Sequence, residues 1–316
     1  MRRLGRLAPV LVAAVLALGA ATAHAEPLDV NLARLGPPDR TVWINLGVAD
    51  PQATILANDA KRRFAILSNE VALAMSSAVL QPGSTTGHSG WDLAGEVGVA
   101  KVHGGASGNS PPLGFTNEVW PTNSVKPGSL LTTGIHVRKA LPFSFEMGGR
   151  LTYLSQTSYF AAQGEAKWAL NEGFDYFPDL AVRAAYTRLF GQREWNLDAT
   201  DLDVLLSKRW GVSGVTSFTP YVAARFTFVN ASTEMIGFGR PASAAPADQY
   251  ATVAAFPKLR TNLYRTTLGV RMTANLVSMA LEATYFGGKT RAASGEYPDL
   301  ELSSSFSAAF RLGWEF

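Results

Sequence analysis

Residues 303–316, SSSFSAAFRLGWEF, decide the fold. Taken two at a time they place Phe306, Ala308, Phe310, Leu312, Trp314 and Phe316 on one side, and Ser305, Ser307, Ala309, Arg311, Gly313 and Glu315 on the other. Successive side chains of a strand point to opposite faces, so the stretch reads as a strand with an apolar face and a polar face. A half-buried strand of a soluble sandwich carries the same alternation, and only length and repetition separate the two.

Both favour a barrel. From Gly90 onward the same division recurs near 90–103, 130–141, 143–154, 160–171, 179–190, 197–210, 218–230, 260–273 and 276–287, which with the last stretch makes about ten strands. In 143–154, for example, Phe143, Phe145, Met147, Leu151 and Tyr153 oppose Ser144, Glu146, Arg150 and Thr152. The connections alternate as well, with long stretches such as 104–129 and 233–259 and short ones such as LPF and the residues around Asn275. A transmembrane up-and-down antiparallel barrel has that rhythm, with turns at one end and loops at the other. Twelve strands follow if TVWINLGV and VALAMSSAVL join the sheet.

Charge placement decides which face is inside. The polar parity carries Asp92, Glu96, Glu146, Glu165, Asp201, Asp203 and Glu282 against Arg138, Arg150, Lys167, Arg183, Arg209, Arg225, Arg265, Arg271 and Arg311, with His136 among them. Roughly balanced and mid-strand, this set can pair across a lumen. The apolar parity carries only Lys101, Lys139, Arg188 and Lys208, all near strand ends. There the cost of a lipid-facing cation falls from about 2–4 to about 0–1 kcal/mol, and long side chains can snorkel. Aromatic residues gather in two sets, Phe143, Phe174, Tyr176, Phe177, Trp210 and Trp314 at the turn end and Tyr153, Phe160, Trp195 and Tyr285 at the loop end, as two interfacial girdles.

Ahead of the barrel, residues 1–25 read as a secretory signal peptide: Arg2, Arg3 and Arg6, then an apolar run, then Ala23-His24-Ala25. Without those three arginines the remaining basic residues balance the 25 acidic ones, so the charge argues for neither nucleic acid nor an anionic partner. The chain has no cysteine, which leaves no disulfide and no thiolate metal site. Residues 26–87 read as a periplasmic or lumen-plugging segment. It contains a helix over about 51–80, with Asp50 as cap, Pro51 in the first turn, Leu56, Ala60, Phe64, Leu67 and Val71 at helical spacing, and Pro82-Gly83 as the stop. The barrel then spans 88–316.

The closing FRLGWEF resembles the terminal-strand signature of Gram-negative outer-membrane β-barrel proteins, with Phe316 last and Phe310, Leu312 and Trp314 at alternate positions before it. The resemblance covers about Gly90 to Phe316. It implies Sec export, an outer-membrane location, membrane lipids as surroundings and recognition of those four residues by the barrel assembly machinery. It identifies no subfamily.

Little in the sequence carries chemistry. Asp198, Asp201 and Asp203 form the densest acidic group, which suits either a weak cation site or pairing with interior bases such as Arg183 and Arg225. Omptin proteases, which are also outer-membrane barrels, pair Asp-x-Asp with Asp-x-His, and no histidine here follows an aspartate by two positions. His136 beside Arg138 suits an acid/base group or a hydrogen-bonded lining residue. There is no G-x-S-x-G, phosphate loop or paired metal histidine, and no cofactor is expected. The expected function is therefore a narrow or plugged channel for small solutes or a structural surface protein, and not an enzyme. The alternatives are an adhesin or receptor acting through its long loops, a transporter of hydrophobic compounds, and a barrel hydrolase.

Overall fold

The computed structural model describes residues 26–76, 78–87, 89–122, 126–174, 176–213, 215–239, 252–287, 296–297, 302 and 304–316. The expected signal peptide lies outside them. Ten strands form the barrel: β1 (Trp91–Lys101), β2 (Ser129–Leu141), β3 (Phe145–Leu154), β4 (Phe160–Asn171), β5 (Asp179–Phe190), β6 (Trp195–Ser207), β7 (Thr216–Thr233), β8 (Leu259–Ala274), β9 (Val277–Phe286) and β10 (Ser305–Glu315). Each pairs antiparallel with the next. The sheet closes where β1 meets β10, with Val97 opposite Phe310 and Leu93 opposite Trp314. Closure leaves no sheet edge, the condition for strands to stand in hydrocarbon.

The alternation of exposure follows the parity read from the sequence. Along β5, Val182 and Tyr186 face out while Arg183, Ala185 and Thr187 are buried, and the pattern repeats in every strand. Phe310, Leu312, Trp314 and Phe316 all face out. The outer surface is thus a band of Val, Leu, Ile, Met and aromatic side chains around a charged interior, the inverse of a soluble protein. The chain is a membrane-spanning barrel.

Residues at the two rims show why the connections differ. The β8–β9 turn is only Asn275-Leu276, with Asn275 at φ 52°, a left-handed conformation that asparagine tolerates well. The turn end also has 142–144 and 172–178, and a short strand, Trp210–Ser213, folded against the start of β7. The loop end holds the connections 102–128, 234–258 and 287–304, with a two-residue hairpin, Ile236–Gly237 against Val253–Ala254, in the second. One close approach stiffens the wall: a Cβ at Gly269 would lie 2.2 Å from the Tyr221 ring, so the glycine is the seat for that ring on the neighbouring strand.

Ahead of β1 stand a 3-10 turn (Leu32–Leu35), α1 (Arg40–Asn45) and α2 (Asp50–Met75). TVWINLGV is therefore a short helix running into a turn and VALAMSSAVL ends a helix, so neither joins the sheet and the strand count stays at ten. Asp50 is not the cap. It is the first helical residue, and it pairs with Arg40 at 2.9 Å on the surface. The helix stops at Met75, short of the expected 80, because the carbonyl of Ser76 is taken by arginines of the barrel wall, as described below.

Candidate functional site: the occupied lumen

The first half of α2 is amphipathic, but from Arg63 to Met75 nearly every residue is buried, which requires surroundings on all sides. Those surroundings are the loop-end mouth of the barrel and then the lumen. At the mouth, Phe64 stacks on Phe256 with ring centroids 4.6 Å apart and lies 6.3 Å from Trp195. Trp43 packs edge-on against Phe115 at 5.1 Å and donates its Nε1–H to the Pro37 carbonyl. Arg63 donates to the carbonyls of Leu35 and Ser107, and burial pushes its guanidinium down to about 10, with Asp59 pulling the other way. The buried Glu70 carboxylate accepts from Trp120 Nε1 at 2.6 Å and from the His103 backbone N–H at 2.8 Å, which ties the helix to the loop after β1. Trp195, expected in the outer girdle, is buried in this apolar core, since its parity on β6 is that of Asp201 and Asp203.

Below the mouth the chain leaves the helix and runs on through the barrel. The helix end carries unsatisfied carbonyls and the negative end of the helix dipole. Arg225 Nη1 and Arg265 Nη1 donate to the Ser76 carbonyl at 3.3 and 3.1 Å, and Arg265 Nη2 also reaches Ser76 Oγ. Arg150 donates to the Ala78 carbonyl at 3.0 Å. The next two backbone N–H groups, of Val79 and Leu80, donate to the two oxygens of Glu282 at 2.9 and 2.6 Å. Gln81 accepts from Arg138 and from Lys167, and Lys167 also donates to the Ser84 carbonyl at 2.9 Å. At the turn end, Thr85 N–H donates to Glu172, and Trp91 N–H donates to the Phe316 carbonyl as β1 begins. Ser76 and residues 78–86 thus belong to a strap, neither helix nor strand over 78–86, held from opposite walls.

The same charged side chains hold one another. Asp92 accepts from both Arg138 on β2 and Arg311 on β10, so the closing seam is stitched from inside. Glu146 lies 3.0 Å from Arg138 and 3.4 Å from Lys167. Glu96 pairs with Arg150 at 2.8 Å, and Glu165 with Arg183 at 2.5 Å. Asp203 sits between Arg183 and Arg225, and Asp201 pairs with Arg265 at 2.7 Å and accepts from Thr227. Arg271 pairs with Glu315. His136 stands between Glu96 and Glu165, with ring nitrogens 3.0 and 2.9 Å from their oxygens, so it is clamped on both sides. The one lumen assignment that fails is Arg209: β6 ends at Ser207, and Arg209 lies exposed in the following turn, where alternation no longer applies.

The arrangement leaves little free space. The cavity beside the strap, lined by Ala74, Ala78, Gly98, Gly134, Thr132 and Arg265 among others, measures about 40 Å³, enough for a few waters. A more open hollow of about 660 Å³ lies on the cap above, between Arg40, Asn58, Lys61 and Met235. The acidic group splits up: Asp203 and Asp201 are paired as above, and Asp198 accepts from Tyr186 at 2.7 Å. Among the described residues no cluster of three His, Cys, Asp or Glu side chains could hold a metal ion. Sequence reasoning missed the partners on the strap, Ser76, Ala78, Gln81 and Ser84, because they act through carbonyls or an uncharged amide.

No family model matches the chain, and no curated protein matches it in sequence. Solved structures similar to it include the N-terminal β-barrel domain of Pseudomonas aeruginosa OprF, at 10% identity and TM-score 0.30, covering 71% of this chain and 97% of that one. Neisserial surface protein A is similar at 11% identity and TM-score 0.28, over 71% of this chain and 95% of the other. Ail, the attachment invasion locus protein of Yersinia pestis, solved with the heparin analogue sucrose octasulfate, is similar at 7% identity and TM-score 0.28, over 73% and 100%.

Proposed function

We propose that the protein is an integral outer-membrane barrel whose lumen is held shut by its own amino-terminal segment, and that it serves as a structural surface protein and not as a standing pore. The observation that carries this is the strap between Ser76 and Thr86, bonded to charged side chains of β2, β3, β4, β7, β8 and β9, most of them through backbone groups that no mutation of its side chains removes. The alternating apolar exterior and the FRLGWEF terminus support the outer-membrane location. A ten-stranded barrel has a narrow interior to begin with, and the strap and the arginines fill it.

Planar-bilayer recording tests the proposal. The full chain is expected to be silent, and a chain lacking residues 26–85 to conduct steadily, because the removed segment carries the acceptors for Arg138, Arg150, Arg225 and Arg265. Equal steady conductance from both would overturn the shut lumen. Passage of small solutes is the second reading, favoured by the charged wall that the strap covers, and it requires the strap to leave.

A further inference from the structure

The route of the amino-terminal segment fixes more than the state of the lumen. Leu28 N–H donates to the carbonyl of Gln156, Val30 N–H to the hydroxyl of Tyr159, Asn31 N–H to the carbonyl of Pro121 and Thr116 N–H to the carbonyl of Arg34. All of these partners lie in connections at the loop end. From there Ser76, Ala78, Leu80, Gln81 and Thr85 descend in order past Arg265, Arg150, Glu282, Lys167 and Glu172 to the turn end, where Gly90 accepts from Ala140 and β1 starts. The chain therefore passes through the whole barrel before it becomes the barrel. Short turns face the periplasm and long connections face outward in barrels of this kind.

We infer that residues 26–73 are displayed on the outer face of the membrane, as a folded cap that reaches the surface through the protein's own barrel. The cap cannot travel as a folded unit. Its core joins Trp43 and Phe64 to Trp120, Trp195 and Phe256 of the barrel rim and loops, whereas the lumen level with Ala78 to Ser84 holds a single pass of chain. The sheet must close around the strap, or the segment must pass unfolded, and in both cases the cap's apolar core forms only outside. The surface that an external partner meets is then the cap with Ile44 and Ile55 exposed on it, beside Leu113 of the first long connection, and not an open mouth.

The absence of native cysteine makes the test clean. Single substitutions Ile55→Cys on the cap, Leu113→Cys on the first long connection and Tyr176→Cys in a turn all fall on exposed side chains, 44%, 55% and 95% accessible. Each variant is first checked for the heat-modifiable mobility of a folded barrel. A membrane-impermeant maleimide added to intact cells should then label Ile55→Cys and Leu113→Cys to similar extents. Tyr176→Cys should react only after the outer membrane is permeabilised. Labelling of Leu113→Cys with protection of Ile55→Cys would overturn the inference, and so would protection of both in intact cells with full reaction after permeabilisation. The readout is independent of conductance, so it stands or falls separately from the shut lumen.

Discussion

The core of the cap and the interior of the lumen are both buried, yet one is built of aromatic and aliphatic side chains and the other of guanidinium and carboxylate groups. Trp43, Phe64, Leu67, Val71, Trp120 and Trp195 fill the first, and Arg138, Arg183, Arg225, Arg311, Asp92 and Asp203 fill the second. The contrast follows from what lies on the far side of the wall. Above the bilayer the outer surface meets water, so apolar groups go inward. Within the bilayer the outward parity must be apolar, and a period of two then sends every remaining residue inward, charged or not. Such an interior is tolerable only if each charge is paired and hydrogen bonded, because a buried ion without a partner costs several kcal/mol.

The largest expected effects test whether the two interiors are separate. Arg183→Ala leaves Glu165 and Asp203 short of their shared partner and should destabilise the barrel by about 3–5 kcal/mol in denaturant unfolding of the purified protein. Phe64→Ala should cost a similar amount, about 3–5 kcal/mol, but in the cap, with protease sensitivity appearing before any loss of heat-modifiable mobility. If Phe64→Ala lowers barrel stability as much as Arg183→Ala does, the two regions unfold as one and the contrast is only chemical.

A step smaller, Leu268→Arg puts a cation on the outward face in mid-strand, where it should cost about 2–4 kcal/mol if that face meets hydrocarbon. A cost near zero in lipid vesicles would place β8 outside the bilayer. Gly269→Ala, one residue on and facing inward, forces the Tyr221 ring off its seat and should cost about 1–3 kcal/mol by the same measurement.

The smallest effect concerns pH. Burial holds the Glu70 carboxyl above the ordinary carboxylate value, against the pull of the Trp120 and His103 donors. A carboxyl raised in this way holds more protons in the folded cap than in the unfolded chain. Its contribution is therefore fully present below the ordinary value and lost as pH rises through the raised one. Glu70→Gln, which keeps an acceptor for Trp120, should flatten cap stability between about pH 4 and neutrality, measured by proteolysis across that range. An unchanged profile would move the titration elsewhere.

How much of this was legible beforehand depended on the range of the interaction. Strand parity is a local property, so Phe310 to Phe316 revealed the outward face and Asp92, Arg183 and Glu282 the inward one. Arg209 and Trp195 show where the local reading ends: the first lies just past a strand, where alternation stops, and the second faces a core whose other half is more than a hundred residues away. The strap was legible only as an interruption at Pro82-Gly83. Neither its path nor the end of the barrel that it caps has a local signature, because its partners Arg150, Arg225 and Arg265 lie on distant strands.

Asp92 and Asp203 each serve two guanidinium groups at once, and Glu165 serves Arg183 and His136, all drawn from different strands. Over evolutionary time such shared groups are hard to exchange one at a time, since losing any member strands two others. The lipid-facing positions between them accept any greasy residue of suitable bulk. Divergent descendants of this chain should therefore drift freely on the outside while the inside changes rarely, and then in correlated sets.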